Sequence, residues 1–342
     1  MKKNYFQQSD FWCDFKVNHG WKCLKVENLN ILTRTFKKSF LSFSIAYVPM
    51  APFFEENENT ENYVKKLNEL SKKIKSFLPK NCLFLRFDLP IDFYSLEERS
   101  SFIKEVESIS KKYSFPIKKS NVDVQPPDST FLDLSLEIDE ILSKMKSKWR
   151  YNIRYAEKHG VTVRKIDKTS VDFENSLDSF YELYKTTASR DGIGLHSKNY
   201  YKDLLLKSDE KSTVNLYIAS HENEDLAGII TLFQNDESVY LYGASSNNKR
   251  NLMPAYLVQM TAIKDAKQFG AKTYDFYGIP PVADEKHPMH GLYLFKTGFG
   301  GKIIHRPGCF DIPLSCLYSF YKFMENTRAF VYKKLFKKLR GR

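Results

Sequence analysis

Residues 214–279 read VNLYIASHENEDLAGIITLFQNDESVYLYGASSNNKRNLMPAYLVQMTAIKDAKQFGAKTYDFYGI, and the order of elements within them sets the architecture. Three runs, 214–220, 226–234 and 237–245, are rich in β-branched and aromatic residues and are separated by short polar turns, so they read as successive strands. Residues 253–270 change to a helical pattern, with Pro254 in the first turn and Gly270 at the end. TYDFYGI (273–279) returns to strand, and a helix over 171–192, closed by Gly192, precedes the whole set. Further upstream, FLSFSIAYVP (40–49) and NCLFLRFDLP (81–90) are apolar runs stopped by proline, hence strands. Between these, Tyr63, Leu67, Leu70, Ile74 and Phe77 recur every three or four residues, the apolar face of a helix. Ser95 followed by Glu98 predicts a capping box at the start of a second helix. Strands alternating with helices in both parts place the chain in the α/β (α+β) class.

With 342 residues the chain exceeds one ordinary domain of ~100–200 residues, and NVDVQPPDST (121–130), paired prolines among turn formers, is the expected boundary. Hydrophobic residues at 42% and charged residues at 27% are ordinary for a folded chain and exclude a disordered one. A net charge of +12 points to anionic partners. The five cysteines, Cys13, Cys23, Cys82, Cys309 and Cys316, are odd in number and scattered, with no C-x-x-C pair. No disulfide framework and no cysteine zinc site is therefore expected, and a reducing, cytoplasmic setting fits. The start, MKKNYFQQSDFW, lacks the apolar core of a signal peptide. The longest apolar stretch, 40–54, is cut by Pro49 and Pro52 and falls short of the ~18 residues of a membrane span.

Basic charge is concentrated in two places. From Lys144 to Lys165 there are eight basic residues and one acid, Glu157, and on a helix Lys146, Arg150, Arg154 and Lys158 share one face opposite Met145, Trp149 and Ile153. Four like charges in a row repel and suggest a compensating anion such as a phosphate; the alternative is a solvated face. From Arg328 to Arg342 there are seven positive and no negative residues, with Val331, Leu335 and Leu339 four apart. That is the pattern of an interfacial helix on an anionic membrane, peripheral rather than spanning; a frayed basic tail and RNA contact are the alternatives.

KSKWRYNIRYAEKHGV, YELYKTTASRDGIGLHSKNYY, VYLYGAS, YDFYGIPP and HPMHGLYLFKTGFGGKIIHRPGCFDIP, with QSDFWCDFKVNHGW, AYVPMAP and FLRFDLP near the N-terminus, resemble the FemABX family over nearly the whole chain. These are aminoacyl-tRNA-dependent transferases that build peptidoglycan cross-bridges. The resemblance implies two tandem GNAT-like domains, a precursor-binding one from 1–128 with 307–342 and an aminoacyl-tRNA side from 129–306. The order helix, three-strand meander, long helix and strand read above fits that fold. Some members insert a long helical hairpin in the second domain; only about a dozen residues separate HSKNYY from VNLYIAS, which leaves no room for one.

Carried over residue by residue, the resemblance assigns Lys16 and His196 to the diphosphate of the peptidoglycan precursor, with Lys198 as a substitute ligand and Tyr200 and Tyr242 lining the groove. Asp88 stands at an acidic substrate position, and Phe295-Lys296 at the aminoacyl-ester end. Chemically, an amine must attack an activated ester. A carboxylate such as Asp88 orients the ammonium and relays its proton, and a fixed cation such as Lys296 stabilises the oxyanion. Gly298, Gly300 and Gly301 suit tight backbone geometry near a bound ester or phosphate, and Phe295 and the tyrosines of YLYGAS, Tyr240 and Tyr242, suit stacking on a terminal adenine, with a plain core role as the alternative. No cofactor is expected: SSNNKRNLMPAY lacks the glycine-rich turn of a CoA site. No metal is expected either, since His287, His290 and His305 carry no ligand spacing. The partners implied are aminoacyl-tRNA and the precursor, lipid II or UDP-MurNAc-peptide; a non-catalytic tRNA- or precursor-binding module, or transfer to protein N-termini, are the alternatives.

Overall fold

The computed structural model describes residues 5–38 and 41–339. From the N-terminus come α1 (Asp10–Asn18), β1 (Lys22–Val26), β2 (Leu29–Lys38), β3 (Leu41–Val48), α2 (Thr60–Lys75), β4 (Cys82–Leu89), α3 (Leu96–Ser110) and β5 (Lys118–Lys119). The middle of the chain forms β6 (Asp128–Asp133), α4 (Ile138–Lys144), α5 (Ser147–Lys158), β7 (Thr162–Ile166), α6 (Phe173–Asp191) and α7 (Lys198–Leu206). Then follow β8 (Ser212–His221), β9 (Glu224–Gln234), β10 (Glu237–Ser245), α8 (Pro254–Phe269), β11 (Thr273–Asp275), α9 (His290–Thr297) and β12 (Lys302–His305). The chain ends with β13 (Gly308–Pro313) and α10 (Tyr318–Leu339).

Two compact units divide the chain after Pro127 and after Ile304, the last segment rejoining the first unit. The first unit is built on a sheet of order β1-β2-β3-β4-β13-β5, the second on one of order β12-β6-β11-β10-β9-β8-β7. Each contains an antiparallel meander that reaches a parallel neighbour through a helix: β3 to β4 through α2, and β10 to β11 through α8. A parallel pair needs such a crossover, and the apolar stripe of each helix supplies the reason to pack on the sheet. In α8 the buried residues include Leu257, Val258, Ala262, Ile263 and Ala266; in α2 they include Tyr63, Leu67, Leu70 and Ile74. The architecture is thus α/β, with two units that each carry helices on a mixed sheet.

Several local expectations are corrected. Phe77 lies beyond the end of α2 and is exposed, so the apolar stripe stops at Ile74. Ser95 accepts from the Glu98 N–H at 3.1 Å as a cap should, but the Glu98 carboxylate accepts from Tyr94 N–H rather than closing a box. The strand expected over TYDFYGI ends at Asp275, because Tyr277 and Gly278 are left-handed, with φ of 52° and 64°. Cys13 and Cys23 form a disulfide between α1 and β1, which an odd cysteine count had not suggested; the fold brings their Cα atoms to 5.8 Å, a distance sequence spacing does not reveal. Only residues 207–211 separate α7 from β8, so no helical hairpin is inserted there. No helix among the described residues is long and apolar enough to cross a membrane. The backbone of α10 reaches Leu339, but the side chains of Val331, Leu335 and Leu339 lie outside the described residues.

Candidate active site

The second unit contains a cavity of about 830 Å³. An ordinary pleat would send Tyr240 and Leu241 to opposite faces of β10, but the strand bulges there: Tyr240 faces Thr231 while Tyr242 faces Ile230, so one extra residue sits between them. In consequence Tyr240, Leu241 and Tyr242 all line the cavity, together with Phe295 and Lys296 from α9. The tight conformation uses Gly243, because a Cβ there would lie 1.7 Å from the Tyr240 hydroxyl oxygen.

Lys296 is 6% exposed, buried rather than at the surface where a lysine usually lies. Its Nζ donates to the carbonyl oxygens of Tyr277 and, at 3.0 Å, Gly278, and lies 5.0 Å from the centre of the Tyr240 ring. The two consecutive left-handed residues that ended β11 early are what turn those carbonyls onto one point. Burial pushes the Lys296 ammonium down to about 7, against the opposing pull of the Asp275 carboxylate. Asp275 is itself held by the Ser129 hydroxyl and by the Tyr277 N–H at 2.7 Å. A lysine titrating near neutrality, with two of its three ammonium protons on carbonyls, retains one N–H direction for a group carrying negative charge.

Phe295 packs edge-on against Tyr256 and Phe299, and its carbonyl accepts from the Trp149 indole N–H at 2.9 Å. The glycines after Lys296 each allow a close approach to another part of the protein. A Cβ on Gly298 would lie 2.3 Å from the Trp149 ring, one on Gly300 2.6 Å from the Lys144 carbonyl oxygen, and one on Gly301 2.7 Å from Thr130 Oγ1.

His196, Tyr200 and Tyr242 do come together. The His196 ring stacks on Tyr200 at 4.0 Å and 14°, and meets Tyr242 edge-on at 6.5 Å, with Tyr201 5.1 Å from Tyr242. Lys198 instead makes an ion pair with Asp178, which takes up its charge at the surface of α7. Lys16 and Asp88 belong to the first unit. Lys16 lies on α1 near the Trp12 ring, and burial, helped by the Arg34 guanidinium, lowers it to about 8. Asp88 is 2% exposed near the end of β4 and accepts from the Tyr47 hydroxyl at 2.9 Å. Burial raises its carboxyl to about 6, with the Asp123 carboxylate adding and the Tyr47, Arg306 and Lys119 groups opposing.

The basic stripe is only partly as expected. Lys146 precedes α5 as its N-cap, while Arg154 and Lys158 are exposed along it. Arg150 turns away: its Nη1 donates to the carbonyls of Leu142, Ser143 and Met145 at 3.3, 3.2 and 2.5 Å. The end of α4 leaves its last carbonyls short of backbone partners, although Leu142 accepts from the Met145 N–H, and a guanidinium five residues beyond Met145 can reach them. Met145, Trp149 and Ile153 are buried, as the opposite face requires.

Tyr47, Asp275 and the Tyr277 and Gly278 carbonyls are the site groups that sequence reasoning missed. Only Gly243, directly after an aromatic run, carried a legible signal of close approach.

The FemAB family profile matches residues 1–220 and 207–326. The lipid II:glycine glycyltransferases of Staphylococcus aureus strains USA300 and NCTC 8325 are 23% identical over 378 aligned residues, covering 89% of this chain and 87% of theirs. An alignment that long includes relative residues that this 342-residue chain lacks. The crystal structure of FemX is similar, with a TM-score of 0.73, 20% identity and coverage of 94% of this chain and 95% of that one. The C-terminal domain of a putative lysylphosphatidylglycerol synthetase from Agrobacterium fabrum shares the fold at a TM-score of 0.54 and 10% identity, over 94% and 92% of the two chains.

Proposed function

The chain belongs to the FemAB family, and from that premise we propose that it is an aminoacyltransferase of cell-wall cross-bridge synthesis. It takes an amino acid from aminoacyl-tRNA and places it on the side-chain amine of the diamino residue in a peptidoglycan stem peptide, carried on lipid II or on UDP-MurNAc-peptide. The similarity to relatives named lipid II:glycine glycyltransferases supports this reading. The observation that carries it is Lys296, a buried lysine at about 7 that is fixed by two carbonyls and lines a cavity of about 830 Å³.

In the reaction the acceptor nitrogen attacks the ester carbonyl carbon, the new C–N bond forms, and the carbonyl oxygen becomes an oxyanion. Collapse breaks the ester C–O bond and releases the tRNA 3′-hydroxyl, while the amine loses a proton. Lys296 is the oxyanion donor, acting where charge develops. Phe295, in the same cavity, takes the adenosine end. Asp88, raised to about 6, orients the acceptor ammonium and accepts its proton. Lys16 and the His196, Tyr200 and Tyr242 group serve the precursor diphosphate, with Lys198 spent on Asp178. Lys146, Arg154 and Lys158 attract tRNA phosphates. The basic run from Arg328 to Arg342 attaches the protein peripherally to anionic membrane, beside lipid-linked precursor.

Single-turnover transfer from charged tRNA to precursor tests the reading. Lys296→Met should lower the rate by about 10² to 10³ with the fold intact; a folded variant that transfers at the normal rate removes Lys296, and with it the carrying observation.

A further inference from the structure

One side of α10 is bound firmly to the first unit. Tyr318 donates its hydroxyl to Asp311 at 3.0 Å, and the Glu325 carboxylate accepts from Arg86 Nη1 and Nη2 at 3.2 and 3.1 Å. Arg86 is buried in β4 and forks onto Asp311 at 2.6 and 2.9 Å, so the anchor is a desolvated charge network rather than a surface pair. Lys322 donates to the Lys119 carbonyl at 3.1 Å, and Tyr321 packs 5.0 Å from Phe84. Residues 318, 321, 322 and 325 lie on one helix face, and their contacts fix the rotation of α10 about its axis.

That rotation turns four large apolar side chains outward. Phe320, Phe323 and Met324 are 66%, 64% and 51% exposed, and Leu317, one turn earlier, is 57% exposed. A protein seldom leaves two phenylalanines and a methionine on one exposed stripe unless something covers it. The sequence beyond, RAFVYKKLFKKLRGR (328–342), carries seven positive charges and no negative one. Glu325, the acid closest in sequence, is already engaged by Arg86. A second copy of the chain would set one such basic run against another, whereas an anionic surface attracts it.

We infer that the outer face of α10 is a membrane-contact surface, in which Phe320, Phe323 and Met324 enter the acyl boundary of a bilayer whose headgroups are anionic. This deepens, and rests on, the membrane reading of the basic run: the run supplies long-range attraction and the preceding turns supply apolar insertion that salt does not screen.

The test is co-sedimentation of the full-length chain with vesicles of phosphatidylglycerol and phosphatidylcholine at 3:7, without tRNA or precursor. Phe320→Ser with Phe323→Ser should weaken binding by at least about tenfold at moderate salt, while Phe77→Ser, an exposed phenylalanine elsewhere in the unit, should not. Replacing Lys333, Lys334, Lys337 and Lys338 by Gln should weaken binding mainly at low salt, which separates the run from the apolar face. Unchanged binding of the double serine variant in a chain that melts normally overturns the inference. So does failure of the wild type to bind, or a wild-type dimer that the serine pair converts to monomer. Transfer to soluble UDP-MurNAc-peptide, measured separately, should be unaffected by the serine pair, so loss of membrane binding and loss of the transferase reading give different results.

Discussion

Trp149 donates its indole N–H to the main-chain carbonyl of Phe295 at 2.9 Å, joining α5 to the helix that carries Lys296. Gly298 leaves the space for that ring, since a Cβ there would overlap it. The position of the proposed oxyanion donor is therefore set by a tryptophan nearly 150 residues earlier in the chain.

Removing the link should act on positioning. Trp149→Phe, which keeps a ring but loses the N–H, should lower kcat for transfer with KM little changed, and Gly298→Ala should do the same while costing about 1–3 kcal/mol of stability through overpacking. Steady-state kinetics and a urea melt of both variants check this; a rise in KM alone points to binding instead.

Proton occupancy predicts two opposite stability effects. Lys296, lowered from 10.5 to about 7, binds fewer protons folded than unfolded between those values, so stability rises with pH across that window and the burial cost is greatest below 7. Lys296→Met should thus gain on the wild type most below pH 7, and the advantage should shrink toward pH 10. Asp88, raised from 3.8 to about 6, binds more protons folded than unfolded in that interval, so its cost appears as pH climbs through it and persists at neutrality. Asp88→Asn should be the more stable protein at pH 7 and equal near pH 4, in denaturant melts at several pH values.

The same two groups shape the rate. Transfer should bend upward near pH 6 as Asp88 ionises, and the bend should be missing in Asp88→Asn; the rate should lose ground above about 7 as Lys296 deprotonates, except in Lys296→Met. Tyr47→Phe removes a hydrogen bond that favours the Asp88 carboxylate, so it should move the lower bend to higher pH.

Within the basic stripe, Arg150 should separate from the others. Lys146→Gln, Arg154→Gln and Lys158→Gln together should weaken tRNA binding and flatten its salt dependence without changing the melt. Arg150→Gln should cost about 1 kcal/mol, because it removes the guanidinium donor shared by the carbonyls at the end of α4. Filter binding at two salt concentrations and thermal melts distinguish the two effects.

Gly243→Ala should push the Tyr240 ring out of place, since the new Cβ would lie 1.7 Å from its hydroxyl oxygen. Loss of the aromatic wall 5.0 Å from Lys296 Nζ should lower transfer more than it lowers stability. Transfer rate and melting temperature of the purified variant, measured together, check it.

Local patterns were enough to identify the main helices and the meander, because periodicity, proline stops and glycine caps act within a few residues: Pro254 and Gly270 bound α8, and Gly192 closes α6 in the left-handed region. The motif around Phe295-Lys296 was likewise readable as a run of residues. What tertiary structure decided is where charge and backbone meet. Lys296 became buried because Tyr277 and Gly278, nearly twenty residues away, turn their carbonyls onto it; Arg150 left a stripe of like charges to donate to the carbonyls at the end of α4; and Cys13 met Cys23 only once α1 packed against β1. Desolvation and hydrogen-bond satisfaction depend on neighbours brought close by folding, and no periodicity along the chain encodes them.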